Sequence, residues 1–162
     1  MSIIKMMDRL NPKRIVIVSS APQIRFPDCY GIDMAKLEGL VAFRAALELL
    51  KERNLYHIVD EVYAKCKAQE NYHDNDVVNY VTAIYEPFAP QEISDKIAEM
   101  LSSPEINAEV KIIFQTVENL HIACPKNLGD WYFTGDYPTP GGNRVVNKAF
   151  MNFYEGKDAR AY

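Results

Sequence analysis

The residues best suited to bind a ligand follow the first strongly apolar run of the sequence. Residues 14–18, Arg-Ile-Val-Ile-Val, are rich in β-branched side chains, which predicts a strand buried on both faces of a parallel sheet. Ligands of open α/β sheets bind beyond the carboxyl ends of the strands. A loop that serves only packing and turn geometry is the alternative, since prolines interrupt it. The predicted ligand-binding rim consists of Ser19, Ser20, Arg25, Tyr30, Gly31 and Asp33.

Only two segments of the sequence are typical of buried strands. They are residues 14–19 and residues 110–115, whereas a doubly wound sheet commonly has about five or six strands. We therefore predict an α/β fold whose remaining strands lie outside this sequence. The alternative is a small self-sufficient α/β domain in which the aromatic residues 130–137 add a strand. In either case, 162 residues with 48% hydrophobic content can form a core.

Apolar side chains recur at helical spacing in most of the remaining sequence. We expect Asp74 or Asn75 to cap the helix that follows them. The predicted helices cover residues 3–10, 36–53, 58–69, 76–85, 90–101 and a C-terminal segment with the apolar stripe Val146, Ala149, Phe150 and Phe153. The stripe of the first helix consists of Ile3, Met6, Met7 and Leu10.

Composition limits the partners and the compartment. A net charge of -4 and a pI near 5.4 disfavour nucleic acid as a ligand. No apolar stretch approaches the roughly 20 residues that span a bilayer, and no signal-type segment opens the sequence, so we expect a soluble, cytoplasmic chain that binds no membrane. The cysteines, Cys29, Cys66 and Cys124, are odd in number and far apart, which favours reduced, buried thiols.

Two segments carry a resemblance to a known family. The first comprises Ser20-Ala21-Pro22, Ile24-Arg25-Phe26-Pro27 and Tyr30-Gly31-Ile32-Asp33-Met34, and the second is residues 133–139, Phe-Thr-Gly-Asp-Tyr-Pro-Thr. In this order they resemble segments of the amidophosphoribosyltransferases, the glutamine-dependent enzymes that open purine biosynthesis. The resemblance implies the C-terminal part of a type I phosphoribosyltransferase-like α/β domain. Residues 1–47 would end that domain, residues 48–89 would be a helical insertion, and residues 90–162 would form a C-terminal α/β segment with a final helix.

The resemblance also implies an activity and a site. The parent enzyme would transfer ammonia from glutamine to phosphoribosyl pyrophosphate, giving phosphoribosylamine, and would bind purine nucleotides. Many relatives have proline where Ala35 stands here. In the family, the Tyr-Gly-Ile-Asp loop borders the pocket for the sugar-phosphate and the inhibitory nucleotide. This role carries over to Tyr30, Gly31, Ile32 and Asp33, with Arg25 beside them.

Parts of the family's catalytic machinery are absent from the sequence. The chain has no N-terminal cysteine nucleophile and no acidic pair followed by a Gly-Thr-Thr turn. We therefore predict no catalytic residue, an inactive isolated chain, and a missing glutaminase and transferase portion as its partner. Mg²⁺ would be held by that portion. No metal site is predicted at residues 73–76, which lack ligand spacing, and no iron–sulfur cluster at residues 126–130, which lack the Cys-x-x-Cys pair of some relatives.

Two expectations concern assembly and the opposing class of function. Residues 48–89 are predicted to form a structural or oligomer-contacting lobe, so we expect a homo-oligomer. The alternative to an enzyme fragment is a non-catalytic nucleotide-binding or structural module. The tyrosines that motivate the oligomer contact are Tyr56, Tyr63, Tyr72, Tyr80 and Tyr85.

Overall fold

Two parallel strands form the sheet of the computed structural model, which describes residues 3–28, 34–126 and 129–161. Strand β1 (Arg14–Ser19) pairs with β2 (Glu109–Phe114) over their full lengths. Both strands were predicted from β-branched runs, and the second begins one residue earlier than expected. The described chain is mixed α/β and mostly helical.

Helices make up most of the described residues. The helix at Pro90–Leu101 has the predicted start and end. Its first turn is capped by the Glu92 carboxylate, which accepts the Ala89 N–H at 2.7 Å. The helices are α1 (Ile3–Asp8), α2 (Val41–Glu52), α3 (His57–Ala68), α4 (Pro90–Leu101), α5 (Val117–Ala123), α6 (Trp131–Thr134) and α7 (Pro140–Tyr154). Short 3₁₀ turns lie at Leu37–Gly39, Asp74–Asp76 and Tyr80–Ile84.

The predicted helix at residues 76–85 is wrong, and so is its cap. Extended backbone at residues 77–79 separates two 3₁₀ turns, and Asn79 caps the second turn by accepting the Val81 N–H at 3.1 Å. Gln69 accepts the Val78 N–H at 2.8 Å and donates to the Val78 carbonyl at 3.1 Å. These side-chain bonds to the backbone replace the helical ladder.

The alternative strand at residues 130–137 is also wrong. Residues 131–134 form α6, and Gly135 ends this helix with a φ of 82°. Left-handed backbone of this kind stops a helix and is open mainly to glycine. The sheet therefore has two strands among the described residues.

The core lies between one face of the sheet and helices α2, α4 and α7. Helix α4 packs on both β2 and α2, and α7 packs on α3. Phe43 of α2 meets Phe150 of α7 edge to face, with 6.3 Å between ring centroids. Helix α2 runs unbroken past the predicted boundary at residue 48, and its residues on both sides of that point share this core. The division into three segments stays a prediction.

The other face of the sheet is exposed, which corrects the expectation that β1 is buried on both faces. Ile15 is buried, but Val18 is 70% exposed and lies opposite Ile113, which is exposed as well. Side chains of a strand alternate between faces, and among the described residues the packed helices bury only the face of Ile15. We call the opposite side the outer face, defined by Val16, Val18 and Ile113.

Helix α1 also turns its predicted apolar stripe to solvent. Ile4 is its buried residue and packs against Ile15 and Ala108. The Asp8 carboxylate accepts the Ala108 N–H at 2.9 Å and so ties the end of α1 to the loop before β2. The exposed side chains of the stripe are Ile3, Met6, Met7 and Leu10.

No helix in the described part of the chain combines the length and the apolar character that crossing a bilayer requires.

Candidate functional site

A cavity of about 710 Å³ opens beside the carboxyl ends of the two strands. The loop after β1, the loop after β2, the first turns of α4 and the start of the Phe-Thr-Gly segment all line it. Four residues of the predicted insertion and two of α5 also line it: Thr82, Tyr85, Glu86, Phe88, Val117 and Glu118. This edge of an open α/β sheet is where ligands bind. The cavity also has the size and mixed polarity of a small-molecule site.

Only part of the predicted rim can be located. Arg25 lines the cavity. Ser19 turns its hydroxyl to the backbone instead, donating to the Ala21 carbonyl at 2.9 Å, and Ser20 is exposed without lining the cavity. The loop residues named by the resemblance, Tyr30, Gly31, Ile32 and Asp33, lie outside the described residues.

Arg25 is a half-buried cation without a carboxylate partner among the described residues. Its Nε and Nη2 donate to Oε1 of Gln23, at 3.1 and 2.8 Å. The guanidinium carbon lies 5.4 Å from the ring centroid of Tyr85. Burial lowers the pKa of Arg25, and the weaker influence of Tyr85 opposes this. A guanidinium held by a neutral amide and a neutral ring retains donors and charge for an anion.

Gln23 is fixed by the N-terminal turns of α4. Its Nε2 donates to the Pro90 carbonyl at 2.7 Å and to the Ser94 hydroxyl at 2.8 Å, and the residue is 4% exposed. Ser94 in turn donates to the Pro90 carbonyl at 3.0 Å. With both amide hydrogens engaged, the amide oxygen faces Arg25, so α4 sets the position of the guanidinium.

Tyr85 supports Arg25 from the other side. Its hydroxyl donates to the Arg25 carbonyl at 2.5 Å, and its ring meets Phe26 edge to face at 5.3 Å. The residue is 4% exposed, and this burial raises the pKa of the phenol, which keeps it a neutral donor. Sequence reasoning missed Gln23, Ser94 and Tyr85 as site residues, because no local pattern links them to Arg25.

The two segments that carry the family resemblance lie against each other. The carbonyl of Tyr132, the residue just before the second segment, accepts the N–H groups of Arg25 and Phe26 at 2.8 and 3.1 Å. The Tyr137 hydroxyl donates to the Pro27 carbonyl. A Cβ atom on Gly135 would lie 2.9 Å from the Phe26 ring. The glycine of the second segment is therefore required by the close approach of the first, as well as by its own left-handed backbone.

Other candidate residues of the sequence have structural partners. Asp74 pairs with Arg144 at 2.5 Å, and within the described ranges no three His, Cys, Asp or Glu side chains gather as a metal ion would require. The expectation that Mg²⁺ is held outside this chain stays a prediction. Cys66 is buried, and desolvation raises the pKa of its thiol to about 12, whereas Cys124 is exposed, contrary to the expectation of buried thiols.

Comparison with known proteins gives one partial match. Residues of this chain are 28% identical over 119 positions to the amidophosphoribosyltransferase of Saccharomyces cerevisiae, covering 68% of this chain and 23% of the yeast protein. The chain thus spans less than a quarter of that relative's length. No family model and no solved structure matches the chain. This distant similarity suggests a link to a transferase family and to purine biosynthesis.

Proposed function

We propose that this chain is the C-terminal portion of an amidophosphoribosyltransferase and supports its sugar-phosphate and nucleotide pocket. The parent reaction transfers ammonia released from glutamine to the anomeric carbon of phosphoribosyl pyrophosphate and displaces pyrophosphate. The observation that carries the proposal is Arg25, which pairs with no carboxylate among the described residues, in a cavity at the strand ends, where both family-like segments meet. The partial similarity to the yeast transferase supports it.

The chemistry assigned to the chain is binding. A phosphate group accepts hydrogen bonds from a guanidinium with favourable charge, so Arg25 would hold the phosphate of a phosphoribosyl or nucleotide ligand. Tyr30, Gly31, Ile32 and Asp33 would complete the pocket. No residue of this chain is proposed to act on the reacting atoms, and Mg²⁺ would reach the site through the rest of the enzyme.

The outer face of the sheet supports a chain that is one part of a larger protein. Parallel sheets are normally covered on both faces, and a contiguous exposed apolar surface marks an interaction site. Here Val18 and Ile113 are paired and exposed. We propose that the remaining transferase portion covers this face. A homo-oligomer and a cytoplasmic location remain part of the proposal.

Phosphoribosylamine formation tests the proposal. The assay uses glutamine and, separately, ammonia, and it compares this chain alone with this chain joined to the N-terminal part of the yeast enzyme. We expect activity only in the joined protein. A joined protein that is folded, as judged by a cooperative melt, and yet inactive with both nitrogen donors would contradict the proposal.

A non-catalytic nucleotide-binding module is the second candidate. The described part of this single chain supplies both a cavity and the hydrogen bonds that position Arg25, which favours binding without further partners. Tight AMP binding by the chain alone, together with no activity in the joined protein, would select this candidate over the enzyme.

A further inference from the structure

The predicted insertion contributes directly to the cavity, although the family resemblance leaves residues 48–89 without a role. Thr82, Tyr85, Glu86 and Phe88 from this segment all line it. The helical residues of the same segment, 48–52 of α2 and 57–68 of α3, do not line the cavity. The contribution therefore comes from the 3₁₀ turn at Tyr80–Ile84 and the residues that follow it.

Tyr85 contacts Arg25 in two independent ways. The hydroxyl donates to the Arg25 carbonyl and fixes the backbone, while the ring lies under the guanidinium and fixes the side chain. Stacking of a cation on a tyrosine ring is stronger when water is excluded, and Tyr85 is almost fully buried. Both contacts act on Arg25, the one cation among the described residues that line the cavity, whose lining also includes Glu86 and Glu118.

The backbone that presents Tyr85 is itself anchored on several sides. Asn79 caps the 3₁₀ turn and donates to the Gly135 carbonyl at 3.1 Å. The adjoining Val78 carbonyl accepts from Asn147 of α7 at 2.8 Å and from Gln69 at 3.1 Å. These bonds hold the turn against α7, the end of α3 and the Phe-Thr-Gly segment. Tyr85 is thus placed on rigid supports, as pre-organised binding sites require.

We infer that the segment of residues 48–89 is part of the ligand site and that Tyr85 is its positioning residue, which orients the Arg25 guanidinium for a phosphate-bearing ligand. The inference rests on the proposed function, because that function supplies the phosphate. If position 85 served only to pack the core, phenylalanine would fill it equally well. The hydroxyl bond to the Arg25 carbonyl and the guanidinium stacked on the ring separate Tyr85 from a purely structural aromatic residue.

The test measures AMP and adenosine binding to the full chain by calorimetry. Tyr85→Phe removes one buried hydrogen bond and keeps the ring, so we expect AMP affinity to fall about threefold to tenfold while adenosine affinity stays unchanged. Tyr85→Leu also removes the stacking and is expected to weaken AMP binding further. Arg25→Gln removes the guanidinium and so gives the AMP affinity of a site that lacks it.

Tyr63→Phe is the matched control. Tyr63 belongs to the same segment and donates to Glu155 at 2.7 Å, so this variant also loses one hydroxyl bond but lies away from the cavity. We expect its AMP affinity to equal that of the unchanged chain. Thermal melts of all variants establish that the folds are comparable.

The possible results separate the two proposals. If the unchanged chain binds AMP no better than adenosine, or if Arg25→Gln has no effect, the phosphate site of the proposed function fails and the inference falls with it. If Arg25→Gln weakens AMP binding and Tyr85→Phe does not, the inference alone is overturned. Equal losses for AMP and adenosine in Tyr85→Phe also overturn it, because they indicate a general structural role.

Discussion

The carboxyl edge of the sheet is packed against helices and loops that satisfy its polar groups, whereas the outer face of the sheet is exposed to solvent. At the carboxyl edge, buried polar groups such as Gln23 and Tyr85 have their hydrogen bonds made by α4 and by the loops. On the outer face, Val18 and Ile113 point their apolar side chains to solvent. In the first region the described chain satisfies these polar groups itself, and the second region has the character of an interface. Ligand binding is therefore expected to depend on Arg25 and its partners and assembly on Val18, whereas Ile113 belongs to the outer face and also lines the cavity.

The two faces of the sheet give the largest expected contrast. Ile15→Ala removes a buried side chain and should lower the free energy of unfolding by about 2–5 kcal/mol. Ile113→Ala, on the outer face, should cost about 1 kcal/mol or less, since it changes mainly β propensity. Urea unfolding of the chain measures both. Similar losses for the two variants would show that the outer face is covered in solution.

The contact between the two family-like segments gives the second largest expected effect. Gly135→Ala forces a left-handed backbone on alanine and brings its Cβ against Phe26 and Asn79, so we expect a loss of about 2–4 kcal/mol. Gly141→Ala is the control, because open space surrounds its Cβ position. Chemical denaturation compares the two, and a loss no greater in Gly135→Ala than in Gly141→Ala would contradict the close approach.

Arg25 should affect ligand binding strongly and the stability of the fold only weakly. Its guanidinium has no acidic partner among the described residues, so Arg25→Gln should leave the free energy of unfolding within about 1 kcal/mol of the unchanged chain. AMP affinity should fall by about tenfold to a hundredfold, the effect of hydrogen bonds to a charged group. Arg14→Gln, which breaks an exposed pair with Glu109, should leave AMP affinity unchanged. A large loss of stability in Arg25→Gln would assign this cation a structural role.

The smallest expected effect concerns the cap of α4 beside the cavity. The Ala89 N–H, followed by Arg53, lowers the pKa of Glu92 below its usual value of 4.5. A carboxylate with a lowered pKa in the folded state contributes stability above its unfolded pKa and loses it as the pH falls through the folded value. The destabilisation by Glu92→Gln should therefore be present at about pH 6.5 and shrink by about pH 3.

Unfolding of Glu61→Gln, an exposed glutamate without an ion pair in the described chain, provides the reference for that measurement. A destabilisation by Glu92→Gln that is the same at both pH values would exclude the charged cap as its cause.

Local patterns predicted those elements whose signals are adjacent in sequence. The β-branched run predicted the position of β1 and Pro90 predicted the start of α4, and both positions are confirmed, although β1 is buried on one face only. Residues 76–85 also had helical spacing, yet the bonds of Gln69 to the Val78 backbone and of Asn79 to the Val81 N–H hold this segment in another conformation. Local spacing could not reveal that competition.

The candidate site was predictable only in part. Its place beyond β1 follows from the rule for open α/β sheets, and Arg25 follows from the residue types in that loop. The partners of Arg25 do not, because Tyr85 lies 60 positions further along the chain and belongs to a segment that no motif identified.

The sequence by itself determined the α/β class, the two strands, most helix positions and a cationic residue after the first strand. The tertiary structure decided which face of the sheet is exposed, that α1 turns its apolar stripe outward, and that Tyr85 and Gln23 meet at Arg25. The physical reason is the sequence distance over which each kind of interaction acts. Backbone propensities and caps act over a few residues, whereas burial and long-range hydrogen bonds exist only when distant segments have come together.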